Sequence, residues 1–213
     1  MQLTKLGRVF AVLLIGAALV DCSSADNPYE RIQNPPLLRA SLNSVVVVTA
    51  DIALPERLVQ AGYTRTVFPG TNYPASVPAE AALWKLPEES VSNSVLFMAP
   101  PGQGPNVRVI VMPEVPPVTP VDAELEAAFY RKVLGTELPQ WPGSKQLRDG
   151  ARIQAWTFLV DDLLTARKRL QEAGVPILHE PLAITTAYLG THQTMAIQAP
   201  DGTPIELVQG ASL

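Results

Sequence analysis

One cysteine and two histidines are all that 213 residues supply of the side chains that most often bind metals or act as nucleophiles and bases. The lone thiol, Cys22, cannot close an internal disulfide. His179 and His192 are no histidine pair at helical spacing, and neither a Gly-x-Ser-x-Gly elbow nor a phosphate-cradling glycine loop is present. The sequence also lacks any basic block, and its net charge is −4, so nucleic acid is not an expected partner. Apolar residues are abundant, at 47%, enough for a packed core even after an apolar leader is discounted.

That leader occupies residues 1–21. Lys5 and Arg8 give it a basic start, and residues 9–20 are apolar or glycine throughout. The apolar run is too short to cross a bilayer, which takes about 20 residues, and it suits the h-region of a secretory signal. Leu19-Val20-Asp21-Cys22-Ser23-Ser24 follows and resembles a bacterial lipobox, in which the peptide is cut before the cysteine and the thiol is lipidated. Asp21 stands where a small residue is usual, and the alternative is ordinary signal cleavage that leaves Cys22 as a free thiol. Lipidation gives the odd cysteine a purpose. Ser23 after it resembles the sorting of lipoproteins to the outer membrane, facing the periplasm.

Removal of Lys5, Arg8 and Asp21 with the leader leaves 192 residues carrying 14 basic and 19 acidic side chains. That size fits one domain or two small repeated modules. Residues 22–41 read as the lipidated N-terminus and a polar, proline-bearing tether.

The order of elements repeats. Residues 44–51 are β-branched, then acidic, and predict a strand. A short helix over 57–62 follows, then strands at 63–68, 95–98 and 107–112. Residues 69–87 read as loop, with a turn of helix or a short strand at 79–85. After a stiff proline-rich spacer at 115–120, Asp122 and Gly135 bound a helix. In the second half, 153–160 predict a strand. Residues 162–173 predict a helix with Leu163, Ala166, Leu170 and Ala173 on one stripe, and strands follow at 176–179, 194–198 and 205–208. Asp201-Gly202 is a hairpin signal between the last two. Aligning Asp51 with Asp162 superimposes the halves. The expected organisation is a first module at 42–120, a linking helix and loop at 121–150, and a second module at 151–213.

Three segments carry a family resemblance: Thr157-Phe158-Leu159-Val160-Asp161-Asp162-Leu163, Arg169-Leu170-Gln171-Glu172-Ala173-Gly174-Val175 and Ala199-Pro200-Asp201-Gly202-Thr203-Pro204-Ile205-Glu206-Leu207. They resemble the vicinal oxygen chelate superfamily, which includes glyoxalase, bleomycin-resistance and extradiol dioxygenase proteins. Phe129-Tyr130-Arg131-Lys132-Val133-Leu134-Gly135 also resembles the family's first-module helix, although here it precedes the second module. The resemblance implies an α+β fold: two βαβββ modules whose curled mixed sheets form a cup. In metal-using members a histidine on each first strand and a glutamate on each last strand hold a divalent ion in that cup. Carried over position by position, the histidines fall on Ser44 and Ala155, and only Glu206 matches a glutamate; Glu114, past Pro113, is a weak substitute. One carboxylate does not hold a divalent ion against water, so no metal cofactor is expected.

Strand parity sorts the remaining candidates. Ala155, Thr157 and Leu159 face the cup if the first of them does, and Trp156, Phe158 and Val160 face the helices. Glu206 and Val208 join the cup, with Thr194, Ala196 and His192 from the neighbouring strand. His192 and Glu206 are therefore candidate catalytic residues, a histidine oriented by a carboxylate; a solvated turn histidine and a glutamate paired with an arginine fit the same pattern. Ser44, Thr157, His179, Tyr188 and Thr194 are candidate ligand-binding residues, although His179 equally fits an exposed strand edge. Trp84, Trp141 and Trp156 read as core or rim packing, and Trp84 could cover an apolar ligand. The leading expectation is an envelope lipoprotein that binds a small, largely apolar organic molecule in a metal-free cup. One alternative is a lyase, isomerase or dioxygenase using Glu206 with His192 or with an unfamiliarly bound divalent metal; another is a scaffold whose cup is filled by side chains. A homodimer stays open, because related proteins often pair modules between chains.

Overall fold

The computed structural model describes residues 27–66, 77–117, 119–139, 150–186 and 189–210. Cys22, Trp141 and Tyr188 lie outside the described residues. Five apolar or β-branched residues in succession, Val45, Val46, Val47, Val48 and Thr49, make β1 (Ser41–Thr49) a strand buried on both faces. It is followed by α1 (Leu54–Gln60), β2 (Thr64–Thr66), α2 (Val77–Trp84), α3 (Glu88–Ser92), β3 (Val95–Met98) and β4 (Asn106–Val111). Asp122 caps α4 (Ala123–Phe129), its carboxylate accepting from the Glu124 and Leu125 amides at 2.8 and 3.0 Å. A π-helical turn, Tyr130–Leu134, prolongs α4 and ends at Gly135 with φ +76°. A Cβ on Gly135 would stand 2.5 Å from the Leu38 carbonyl oxygen, so only glycine fits there. The second half contains β5 (Ala151–Val160), α5 (Leu163–Glu172, capped by Asp162), β6 (Ile177–Thr186), β7 (Gly190–Gln198) and β8 (Pro204–Gln209).

All eight strands form one mixed sheet in the order β2-β3-β4-β1-β5-β8-β7-β6. β1 runs parallel to β4 and β5 parallel to β8; the other pairs are antiparallel. Each half is thus a βαβββ module in which the first and last strands lie side by side, and the modules meet edge to edge along β1 and β5. α2 and α3 are an addition to the first module. The fold class is the α+β arrangement expected, and the Asp201-Gly202 hairpin joins β7 to β8, with Gly202 at φ +87°.

Two cores lie on the two faces. On the outer face α1, α4 with its π turn, and α5 bury Leu54, Leu58, Phe129, Tyr130, Val133, Leu163 and Leu170 against Val45, Val47, Trp156, Phe158, Ile205 and Leu207. On the inner face Val46, Val48, Ile110, Ala155, Ala196 and Ile184 pack against Ala81, Leu83, Trp84, Leu86 and Val91. The parity expected for β5, β7 and β8 is the parity observed. Helix α2 touches both β8 and the outermost strand β6, and α3 touches β4, so the inner face curls around these two helices.

Residues 28–40, within the expected tether, pack on the body. The Tyr29 ring meets Phe129 edge-on at 5.3 Å between centroids. The Leu37, Leu38 and Ala40 amides donate to the Lys132, Val133 and Leu134 carbonyls at 2.9–3.0 Å, satisfying oxygens that the end of a helix leaves without partners.

Candidate functional site

The polar residues of the inner face converge on Glu206, at the middle of β8, where it is 2% exposed. Its Oε2 accepts from Trp84 Nε1 and Thr157 Oγ1, each at 3.1 Å, and its Oε1 lies 3.1 Å from Thr194 Oγ1. The last hydroxyl is also 3.1 Å from the Leu207 carbonyl oxygen. With Glu206 ionised, the Thr194 hydroxyl donates to it and shares its proton with Leu207; with Glu206 protonated, its Oε1–H can donate to Thr194 Oγ1 while the threonine donates to Leu207. The electrostatics favour the protonated form. Burial holds the Glu206 carboxyl above the ordinary carboxylate range, and the charge of Glu80 adds to this against the opposing hydrogen bonds.

Beside it Arg108, on β4, forks onto Glu80 of α2, with Nη1–Oε1 at 2.5 Å and Nη2–Oε2 at 3.1 Å. Its Nε donates to Ser94 Oγ at 2.8 Å, and the guanidinium carbon lies 4.6 Å from the centroid of the Trp84 ring. The main chain at the end of α2 is held as well. Gln154 Nε2 donates to the Trp84 carbonyl at 2.7 Å, and His179 Nε2 donates to the Ala82 carbonyl at 3.0 Å. Gln154 can reach because the β1–β5 register shifts between Val46 and Val47, leaving one extra residue on β5.

Of the residues singled out from sequence, Thr157 and Thr194 join Glu206 directly. Ser44 is buried on β1, opposite Thr157. His179, on β6, is tied to the Ala82 carbonyl of α2. His192 does not reach Glu206: Ala196 is the residue of β7 opposite Glu206, and His192 lies four positions, about 13 Å, farther along that strand. Its Nδ1 approaches the Gly190 carbonyl at 3.0 Å, while its Nε2 is buried with no hydrogen-bond partner among the described residues. The cup expected to hold a ligand is filled by Trp84, 1% exposed, and its neighbours on α2. Sequence reasoning missed Glu80, Arg108 and Gln154. Arg108 had a signal: five positions before Asp51 and Asp162 stand Val46 and Thr157, whose parallel partners are Arg108 and Glu206. The arginine therefore occupies the first module's equivalent of Glu206.

A divalent ion takes several oxygen or nitrogen ligands. The four equivalent positions here hold a hydroxyl (Ser44), a methyl (Ala155), a guanidinium (Arg108) and one buried carboxyl (Glu206). This donor set does not fit a divalent ion, and the fixed positive charge of Arg108 opposes one. Among the described residues no three His, Cys, Asp or Glu side chains cluster in a way that could hold a metal.

No family profile and no curated protein matches the chain. Similar solved structures include methylmalonyl-CoA epimerase from Mycobacterium tuberculosis, 19% identical, covering 85% of this chain and 94% of that one with a TM-score of 0.46. The Mn(II)-bound glyoxalase from Novosphingobium aromaticivorans is 13% identical over 81% of this chain and 39% of its own, with a TM-score of 0.43. Streptomyces coelicolor methylmalonyl-CoA epimerase is 13% identical over 82% and 99%, with a TM-score of 0.40. At these identities the likeness is one of chain course and carries nothing about substrate.

Proposed function

We propose that the protein is a metal-free, non-catalytic member of the vicinal oxygen chelate superfamily, held at the bacterial outer membrane by a lipid on Cys22, which binds a small organic molecule rather than transforming it. The observation that supports this reading is the closure of the inner face. A general base needs a lone pair within reach of its substrate, yet both oxygens of Glu206 are engaged by Trp84, Thr157 and Thr194, beneath a helix of the same chain. Arg108, where a second metal-binding carboxylate would stand, favours the same conclusion.

Elemental analysis of the purified mature protein tests it. The expected result is far less than one equivalent of manganese, iron, nickel or zinc after desalting; one retained equivalent overturns the reading in favour of a metal-dependent lyase, isomerase or dioxygenase. The anchor has its own test: Cys22→Ser releases the protein from the membrane fraction and globomycin blocks its processing, whereas unchanged fractionation refutes lipidation.

A further inference from the structure

A groove of about 600 Å³ lies beyond the start of β5, between α4, the end of α2 and the β7–β8 turn. Ligand pockets of small molecules run from about 300 to 1,000 Å³. Ile153, Trp156 and Leu138 supply apolar wall, and both signs of charge face the space: Lys85 and Arg152 against Glu126 and Asp201.

These charges are not equally free. The Arg152 guanidinium is committed to the Pro116 and Pro117 carbonyls and to Gln154, and Asp201 is largely committed to the Thr203 amide and hydroxyl at 2.8 and 2.6 Å. Lys85 and Glu126 form no salt bridge among the described residues. The half-buried Glu126 carboxyl is held above its ordinary range by burial and then by the charge of Asp201, a penalty that an incoming cation would relieve.

Lys85 is placed at some cost. It follows α2 in the left-handed region, at φ +54°, as the one described non-glycine residue with positive φ. The Lys85 amide donates to the Ala82 carbonyl and the Leu86 amide to the Ala81 carbonyl, at 3.2 and 2.9 Å. This is the helix-ending motif that ordinarily uses glycine, and a side chain there costs about 1 kcal/mol. The Gln154 bond to the neighbouring Trp84 carbonyl fixes the position.

We infer that this groove binds a small zwitterion with an apolar body, an amino acid with an apolar side chain being the simplest of the class. Its carboxylate meets Lys85, its ammonium meets Glu126 beside Asp201, and its body lies on the wall of Ile153, Trp156 and Leu138. The inference rests on the reading of the protein as a binder, and it adds the place and the ligand class.

Calorimetric titration of the full mature chain with L-phenylalanine tests it, alongside its methyl ester, which keeps only the ammonium, and its N-acetyl form, which keeps only the carboxylate. Saturable one-to-one binding of L-phenylalanine is expected, weakened by about tenfold or more in each blocked form. Lys85→Gly should weaken binding of L-phenylalanine while raising Tm, so its loss cannot be assigned to unfolding; Glu126→Gln should weaken it as well. Absence of saturable binding to metal-free, folded protein overturns the groove and leaves the metal-free reading standing. Equal affinity for the blocked forms, or full affinity in Lys85→Gly, also overturns it.

Discussion

Glu206 shows how one buried acid can be structural. Its folded-state pKa is raised above the ordinary 4.5 by burial first, so its protonated form favours folding. That contribution is fully present below about 4.5 and is lost as pH rises through the folded value. Glu206→Gln keeps an oxygen for Trp84 and Thr157 and offers an amide proton to Thr194 without a titrating group. Urea unfolding across neutral and mildly acid pH should find the glutamine variant at least as stable as the parent at the alkaline end. The gap should narrow on acidification; a parent that gains on the variant as pH rises would contradict the protonated assignment. Much at this scale was legible in the sequence, because residues on a strand alternate with a fixed period: Ala155, Thr157, Thr194, Ala196 and Glu206 fell on the face where they are found. The partners of Glu206 were legible in part. Thr157 and Thr194 share its sheet, whereas Trp84 is 122 residues away along the chain and comes from an element that parity says nothing about.

That element is α2 (Val77–Trp84), which the sequence left open between a turn of helix and a short strand at 79–85, and the ambiguity has a physical cause. A helix at a surface shows one apolar stripe, but α2 is covered by the curled sheet and buries Glu80 with Ala81, Leu83 and Trp84, so a polar residue interrupts the pattern that would reveal it. The pairing of Glu80 with Arg108 compensates for that burial. A buried ion pair loses about 3–5 kcal/mol when one partner is removed, because the other is left charged and dry. Arg108→Met should therefore destabilise by about 3 kcal/mol, and the double variant with Glu80→Leu should recover a good part of the loss; equal and additive losses in the cycle would show that the pair is not coupled. The edge strand β6 was cut short in the sequence reading for a different reason. Pro181 reads as a stop, yet on an edge the missing amide costs no ladder bond, and the strand continues to Thr186 through two irregular registers.

At the scale of the molecule, the repeat of βαβββ order led to the α+β class, because element order survives where individual residues diverge; the two curled sheets expected are one continuous eight-stranded sheet. The way the halves are fastened was not legible. β1 and β5 pair along most of their length, and α4 with its π turn adds Phe129, Tyr130, Val133 and Leu134 to the outer core, the Tyr130 ring lying 6.4 Å from that of Phe158 on β5. The segment before β1 is fastened too, through Tyr29 against Phe129 and three amides on the π turn. Tyr29→Ala should cost about 1–2 kcal/mol in chemical unfolding, from lost burial and one edge-on ring contact. Deletion of residues 28–36 should cost more; an unchanged midpoint in both would mean that the segment contributes nothing to the fold.

That docking also limits how far the domain can wander. Between Cys22 and Pro28, where the first described helical turn begins, stand only Ser23 to Asn27, a contour of at most about 20 Å. A lipid on Cys22 would therefore keep the Tyr29–Phe129 contact close to the lipid headgroups. One pole of the molecule would face the bilayer, and diffusion of the rest would be confined to rocking about that point.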